Sequence, residues 1–332
     1  MRYVYSNLTG VRKIRAKWRA LITGGAAGIS ALVVSVMTLL SPVGAAPAVV
    51  YDNIPTPQPG NVSSQAFEAT STSEFGGQVQ LAGTDRQNLQ ATVLMSSWGC
   101  QSGSWFGNNC VTTPGATFSE PITLNVHAVG AGNTVGSLLY TTTQTFNIPY
   151  RPSASPSCTG ADAGKWSDGT TCYNGFATPI TFNTSTTWPN NAIVSVAYNT
   201  THYGATPYGE STACFGSSGG CGYDSLNVGL NYPPTAGTVP NPSDAYLNST
   251  WAGAYCDNGV SGTGTFRLDS GCWSGYQPAF RITAASTSPT SADQCKNNGW
   301  KTFNSPAFKN QGDCVSWVQH NVNGNGTPAQ NR

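Results

Sequence analysis

Residues 118–130 read FSEPITLNVHAVG. Within this stretch Ile122, Leu124, Val126 and Ala128 share one parity, and Thr123, Asn125 and His127 share the other. Successive side chains of an extended chain point to opposite faces, so such a segment buries one face and wets the other. Wound into a helix, the same apolar positions would scatter around the axis. The pattern recurs along the chain. Leu89, Ala91, Val93 and Met95 alternate with Gln90, Thr92 and Ser96. Short apolar runs stand at 180–182 (ITF), 192–198 (AIVSVAY), 226–230 (LNVGL) and 280–282 (FRI), separated by Gly, Pro, Asn and Ser. The expected fold is mainly β: an antiparallel, jelly-roll-like β-sandwich of about ten or more strands with disulfide-braced loops.

This sandwich is expected over residues 49–285. RPSASPSC at 151–158 has the composition of a linker, yet it is short and runs straight into a cysteine, so one domain is favoured over two. A polar run at 283–294, TAASTSPTSADQ, contains a linker at 286–294 and leads into a stapled helical tail at 295–320. In the tail, Ser291 or Thr290 is placed to cap a short helix toward Cys295, and Gly312-Asp313 to start another through Val315 and Val318. Trp300, Phe303, Phe308 and Trp317 would form its miniature core.

The first 48 residues carry Arg2, Arg12, Lys13, Arg15, Lys17 and Arg19, then 21 uncharged residues at 20–40, then SPVGAAPA. A basic segment, an apolar segment and small residues read as a secretory signal, cleaved between 46 and 49; the alternative is an uncleaved membrane anchor. Without it, nine Lys and Arg remain against fourteen Asp and Glu, a formal balance of about −5. No basic patch survives, which removes the electrostatic basis for nucleic-acid binding. Contact with a membrane would come only through that N-terminal segment.

All ten cysteines follow the leader, and an even count in an exported chain argues for disulfides. Proximity suggests Cys100 with Cys110, Cys158 with Cys172, Cys214 with Cys221, Cys256 with Cys272 and Cys295 with Cys314. Sequence alone leaves the connectivity open. No CxxC or paired histidine offers a metal-ligand spacing, so no metal and no cofactor is expected.

The opening YDNIPTPQPGNVSSQAFEATSTSEFGG at 51–77 resembles that of a family of secreted bacterial, largely actinobacterial, β-sandwich proteins. The likeness continues through LAGTDR, MSSWGC, FSEPITLNVHAVG, CYNG, YDSLNVGLN and YQPAFRITA, and covers roughly residues 49–285. The tail DQCKNNGWKTFNSPAFKNQGDCVSWV resembles a short appendage of other secreted proteins of that kind. The resemblance implies export, a sandwich and an extracellular or surface location. It transfers no catalytic residue.

GSSGG at 216–220 matches GxSxG, but it lies in a Gly/Ser-rich loop and lacks the strand that a nucleophile elbow requires. His127, His202 and His320 are too far apart in sequence to suggest a shared metal. Glu68 with Glu74, or Asp162 with Asp168, are the carboxylates available for glycoside hydrolysis, although the preferred reading of the two aspartates is as loop-solvating or turn-forming acids, with a lone structural Ca²⁺ as the alternative. The remaining signal is aromatic. Trp98, Trp105, Trp166 and Trp273 stand in or beside cysteine loops, where a braced ring would offer a platform for sugar faces. The competing and preferred reading is that they plug the ends of the sandwich. The expectation is a secreted or cell-surface, non-enzymatic interaction module, with a polysaccharide or cell-envelope component as partner. A glycan-active hydrolase and a purely structural envelope protein are the alternatives.

Overall fold

The computed structural model describes residues 48–83, 86, 89–105, 107–184, 186–198, 226–284, 288–289, 291–303 and 306–322. The leader up to residue 47, the Cys214 and Cys221 pair, GSSGG at 216–220 and His202 lie outside the described residues.

The strands are β1 (Ala48–Asp52), β2 (Ser64–Gln65), β3 (Thr72–Gln80), β4 (Gln90–Ser97), β5 (Thr117–Val129), β6 (Val135–Pro149), β7 (Trp166–Ser167), β8 (Cys172–Tyr173), β9 (Phe176–Asn183), β10 (Asn191–Ala197), β11 (Leu226–Gly229), β12 (Asp244–Ser249), β13 (Arg267–Ser270) and β14 (Phe280–Ala284). The alternating runs at 89–95, 122–128, 180–182, 192–198, 226–230 and 280–282 all fall on strands or their ends.

In the first sheet β4 is central. β9 pairs along one edge over its whole length. The other edge is divided, with β14 on residues 90–93 and β11 on residues 95–97. β1 lies beyond β14 and β2 beyond β11. The second sheet runs β13-β12-β3-β10-β5-β6. Every pairing is antiparallel. Strands from before and after residues 151–158 therefore share both sheets, since β3 and β5 flank β10 and β4 pairs β9.

The fold is a β-sandwich because one parity of each sheet closes on the other. Ala91, Val93 and Met95 of β4, with Ile180 and Phe182 of β9, meet Ile122, Leu124 and Val126 of β5 and Val194 and Val196 of β10 in one buried cluster. Each fully buried large apolar side chain contributes about 1.5–3 kcal/mol, so the shared core dominates cohesion.

Among the described residues, four disulfides join Cys100 to Cys110, Cys158 to Cys172, Cys256 to Cys272 and Cys295 to Cys314, with Cα separations of 5.4, 6.0, 5.6 and 5.7 Å. They match the pairing expected from proximity and fit an oxidising compartment. Among the described residues, no helix is long and apolar enough to cross a membrane.

In the tail, Ser291 and Gln294 form a capping box on a 3-10 turn at Ala292–Cys295. The helix α1 (Gln311–Asn321) is capped by Asn310, whose side chain accepts from the Asp313 N–H. Cys295, Cys314 and Val318 are buried together, with Trp300, Phe303, Phe308, Val315 and Trp317 packed against them. So few apolar residues cannot offset chain entropy without the bridge, which adds about 2–4 kcal/mol. Cys295→Ser is therefore expected to expose residues 291–322 to proteolysis while the sandwich melts as before. Timed digestion with mass-spectrometric mapping checks this, and a tail as resistant as the wild type would refute it.

Candidate functional site

A strap at 149–155, the 112–116 turn, β7 and the start of β9 build a cleft at the end of β6. The strap begins where β6 ends. Its Arg151 N–H donates to Gly99 O at 2.9 Å, Ala154 N–H to Cys110 O at 2.9 Å and Ser155 N–H to Lys165 O at 2.8 Å. Ser153 locks the next loop: its hydroxyl accepts from Thr112 N–H at 2.8 Å and donates to Thr112 O at 3.1 Å. That loop turns at 113–116, where Ala116 N–H donates to Thr113 O and Gly115 takes a φ of 82°, open to glycine at little cost. Residues with linker composition are thus a buttress between the loops closed by the Cys100–Cys110 and Cys158–Cys172 bridges.

The cleft has a volume of about 530 Å³. Pro114, Pro149, Pro152, Tyr150, Trp166 and Phe176 supply apolar and aromatic wall, and Thr112, Ser153, Ser155 and Ser167 supply hydroxyls. No Asp, Glu, Lys, Arg or His lines it. This arrangement offers dispersion contact and hydroxyl hydrogen bonds, without groups for acid–base work.

The four sequence-selected tryptophans occupy different places. Trp166 alone lines the cleft, but at 6% exposure it is floor and not platform. Its Nε1–H donates to Gly175 O at 2.6 Å, and its ring packs on Tyr173 and Phe176 at 5.2 and 5.5 Å. Trp98 donates to Ser96 Oγ at 2.9 Å and meets Trp105 edge-on at 4.9 Å, while Trp105 packs on Ala69. Trp273 is buried in the main core, where its Nε1–H donates to Asp269 Oδ2 at 2.8 Å. The structure does not gather the four into one surface.

None of the sequence-selected carboxylates lines the cleft. Glu74 turns to the outward face of β3. There its Oε1 accepts from Ser195 Oγ at 2.6 Å and Asn125 Nδ2 at 2.9 Å, with His127 Nε2 at 3.9 Å. Burial acts to raise its pKa, but the nearby His127 ring and the hydrogen bonds from Ser195 and Asn125 outweigh that and hold the carboxyl below its usual range. Glu68 is buried in the 3-10 turn Glu68–Thr70. Asp162 pairs with Lys165 at 2.6 Å. Asp168 caps its own turn, and the N–H groups of Thr171 and Thr170 and the Thr170 hydroxyl hold it at about 2. His320 is exposed on α1, with its Nδ1 2.6 Å from Ser316 O.

One acid escaped the sequence reading. Glu120 shares the inward parity of Ile122 on β5 and is 1% exposed. Among the described residues, neither carboxyl oxygen has a hydrogen-bond partner. Burial pushes its pKa up to about 8. Nearby Tyr198, itself raised by burial and then by the Glu120 charge, donates its hydroxyl to Leu226 O at 2.8 Å.

Among the described residues the one group of three potential metal ligands is Cys256, Asp269 and Cys272. The two sulfurs are already bonded to each other, and the carboxylate accepts from Cys256 N–H and Trp273. Compared with protein-family models, with curated proteins and with solved structures, the chain finds no match.

Proposed function

We propose that the protein is a secreted or cell-surface interaction module that holds a neutral polysaccharide segment in the cleft between the 112–116 turn and the disulfide-braced 158–172 loop. The uncharged lining of that cleft carries the reading. A sugar ring presents C–H faces that suit proline and phenylalanine walls, and hydroxyls that pair with serine and threonine. An ionic ligand would lose hydration there and meet no countercharge. The basic, apolar and small-residue leader and the disulfides support an extracellular setting.

Screening the purified protein against neutral and acidic oligosaccharides tests the proposal. Neutral chains should bind with a Kd of roughly 10 µM to 1 mM, because one shallow cleft buries little area. Phe176→Ala and Pro114→Ala should each weaken binding about tenfold, the equivalent of losing about 1.4 kcal/mol, while melting behaviour reports whether the fold survives. Equal binding of acidic chains, binding unchanged in both variants, or no glycan binding at all would each defeat the reading.

A further inference from the structure

The second sheet ends in β6, fifteen residues long, and VGSLLYTTTQTFNIP contains no charged residue. Its inner edge pairs with β5 from Thr117↔Pro149 to Val129↔Val135. No backbone hydrogen bond from a described residue reaches the outer edge. Leu138 and Leu139 are 51% and 48% exposed, and Thr141, Thr143 and Thr145 are exposed as well. An unpaired edge of this length is a template for another strand.

The remaining sheet edges are blunted. β13, at the opposite end of the same sheet, has four residues and carries Arg267 and Asp269. The Arg267 guanidinium pairs with Asp257, and the Asp269 carboxylate accepts from Cys256 N–H. In the first sheet, β9 contains Pro179, and its Ala177 N–H donates to Gly60 O. β1 has an irregular register, with its last residue bridged to Ala236, and β2 has two residues. Among the described residues, β6 is the one strand longer than two residues that has no charge, no interior proline and no backbone partner on its free edge. From the other sheet, β9 touches it through the Gln144 Nε2–H bond to Asn183 O at 3.4 Å and the Phe146–Phe182 ring contact.

We infer that β6 is a self-association edge, pairing antiparallel with the β6 of a second copy of this chain to make one continuous sheet. An uncharged strand meets its own copy without like-charge repulsion, and a two-fold axis places the same residues on both sides. Threonine already pairs with threonine across neighbouring strands here, at 2.7 Å for Thr123 and Thr143 and 2.9 Å for Thr92 and Thr181. With only one adhesive edge in the sheet, association closes at a dimer instead of growing into a filament. The interface is one strand wide, so a Kd of roughly 10–100 µM is expected.

Sedimentation equilibrium of the purified protein from about 1 to 300 µM, a range that brackets such an affinity, tests the inference. The wild type should pass from monomer to dimer. Leu139→Lys should weaken dimerisation at least tenfold with an unchanged melting temperature, because lysine is tolerated on a free edge. Thr141→Cys, oxidised at dimer concentrations, should give a disulfide-linked dimer. A monomer throughout the range overturns the inference, even if the edge then accepts an unrelated extended peptide. So does a dimer indifferent to Leu139→Lys, which would place the interface elsewhere.

Discussion

Replacing Glu120 with glutamine is expected to raise the melting temperature at pH 8 and to leave it nearly unchanged at pH 4. The carboxyl sits in the core with no hydrogen bond among the described residues, and burial moves its pKa from 4.5 to about 8. Below the lower value both folded and unfolded chains hold the proton, so the group has no pH-dependent effect. Between the two values the unfolded chain releases its proton and the folded chain keeps it, so stability falls as pH rises through that window. Above the higher value the penalty levels off. At about 1.4 kcal/mol per unit, the fully developed loss is roughly 3–5 kcal/mol. Glutamine removes the charge and keeps the shape, so it should recover most of this, or about 5–10 °C at pH 8. Glu120→Met separates a second effect: it also relieves burial of an unbonded polar group, about 1–3 kcal/mol, and should gain at pH 4 too. Melting curves of the three proteins at pH 4, 6 and 8 decide the matter. A glutamine variant less stable than the wild type at pH 8 would mean that the carboxylate is ionised and usefully paired.

That residue also marks where the sequence can be read and where it cannot. Parity along 118–130 assigns Ile122, Leu124 and Val126 inward correctly, and it assigns Glu120 inward as well. The signal was present, but an apolar template stops at the first charge and passes over it. The cysteine pairs were legible because each closes a short loop that the next cysteine could close only at greater length. β6 gave almost no signal, since an edge strand wetted on much of both faces has little reason to alternate. The cleft gave none. Its walls come from separated segments, each of which reads locally as turn or linker, and only the hydrogen bonds of Ser153 and of the 151–155 backbone bring them together. The loop tryptophans show the same limit from the other side. Sequence says which loop carries a ring, while tertiary packing decides whether that ring faces solvent, and for Trp166 and Trp273 it does not.

A single methyl group at position 76 is expected to cost about 3–5 kcal/mol, enough to threaten folding. Gly76 lies in the middle of β3, opposite Ser195 of β10 on one side and Tyr246 of β12 on the other. A Cβ there would collide with the Val194 carbonyl oxygen and stand 2.6 Å from Ser195 Cβ and 2.8 Å from Ser195 Cα. Most of that obstruction is backbone, and β10 is held on both edges by β3 and β5, so the strand has no free direction in which to move. Gly77→Ala provides the contrast. Its Cβ would meet the Pro278 ring at 2.8 and 3.0 Å, a contact with side-chain carbons and not with a strand backbone, and should cost less, about 1–3 kcal/mol. The strain at position 76 also has a local readout, because displacing Ser195 weakens its 2.6 Å bond to Glu74. Glu74 should then titrate closer to an ordinary carboxyl in the Gly76→Ala protein, which carbon NMR of the side chain would follow. In the double variant, Ser195→Gly removes the Cβ part of the collision and leaves the carbonyl part, so denaturant melts should show partial rescue. Full rescue would locate the clash in the serine side chain. A Gly76→Ala protein that melts like the wild type would show that the two strands can separate, contrary to the packing that fixes the outward face of this sheet.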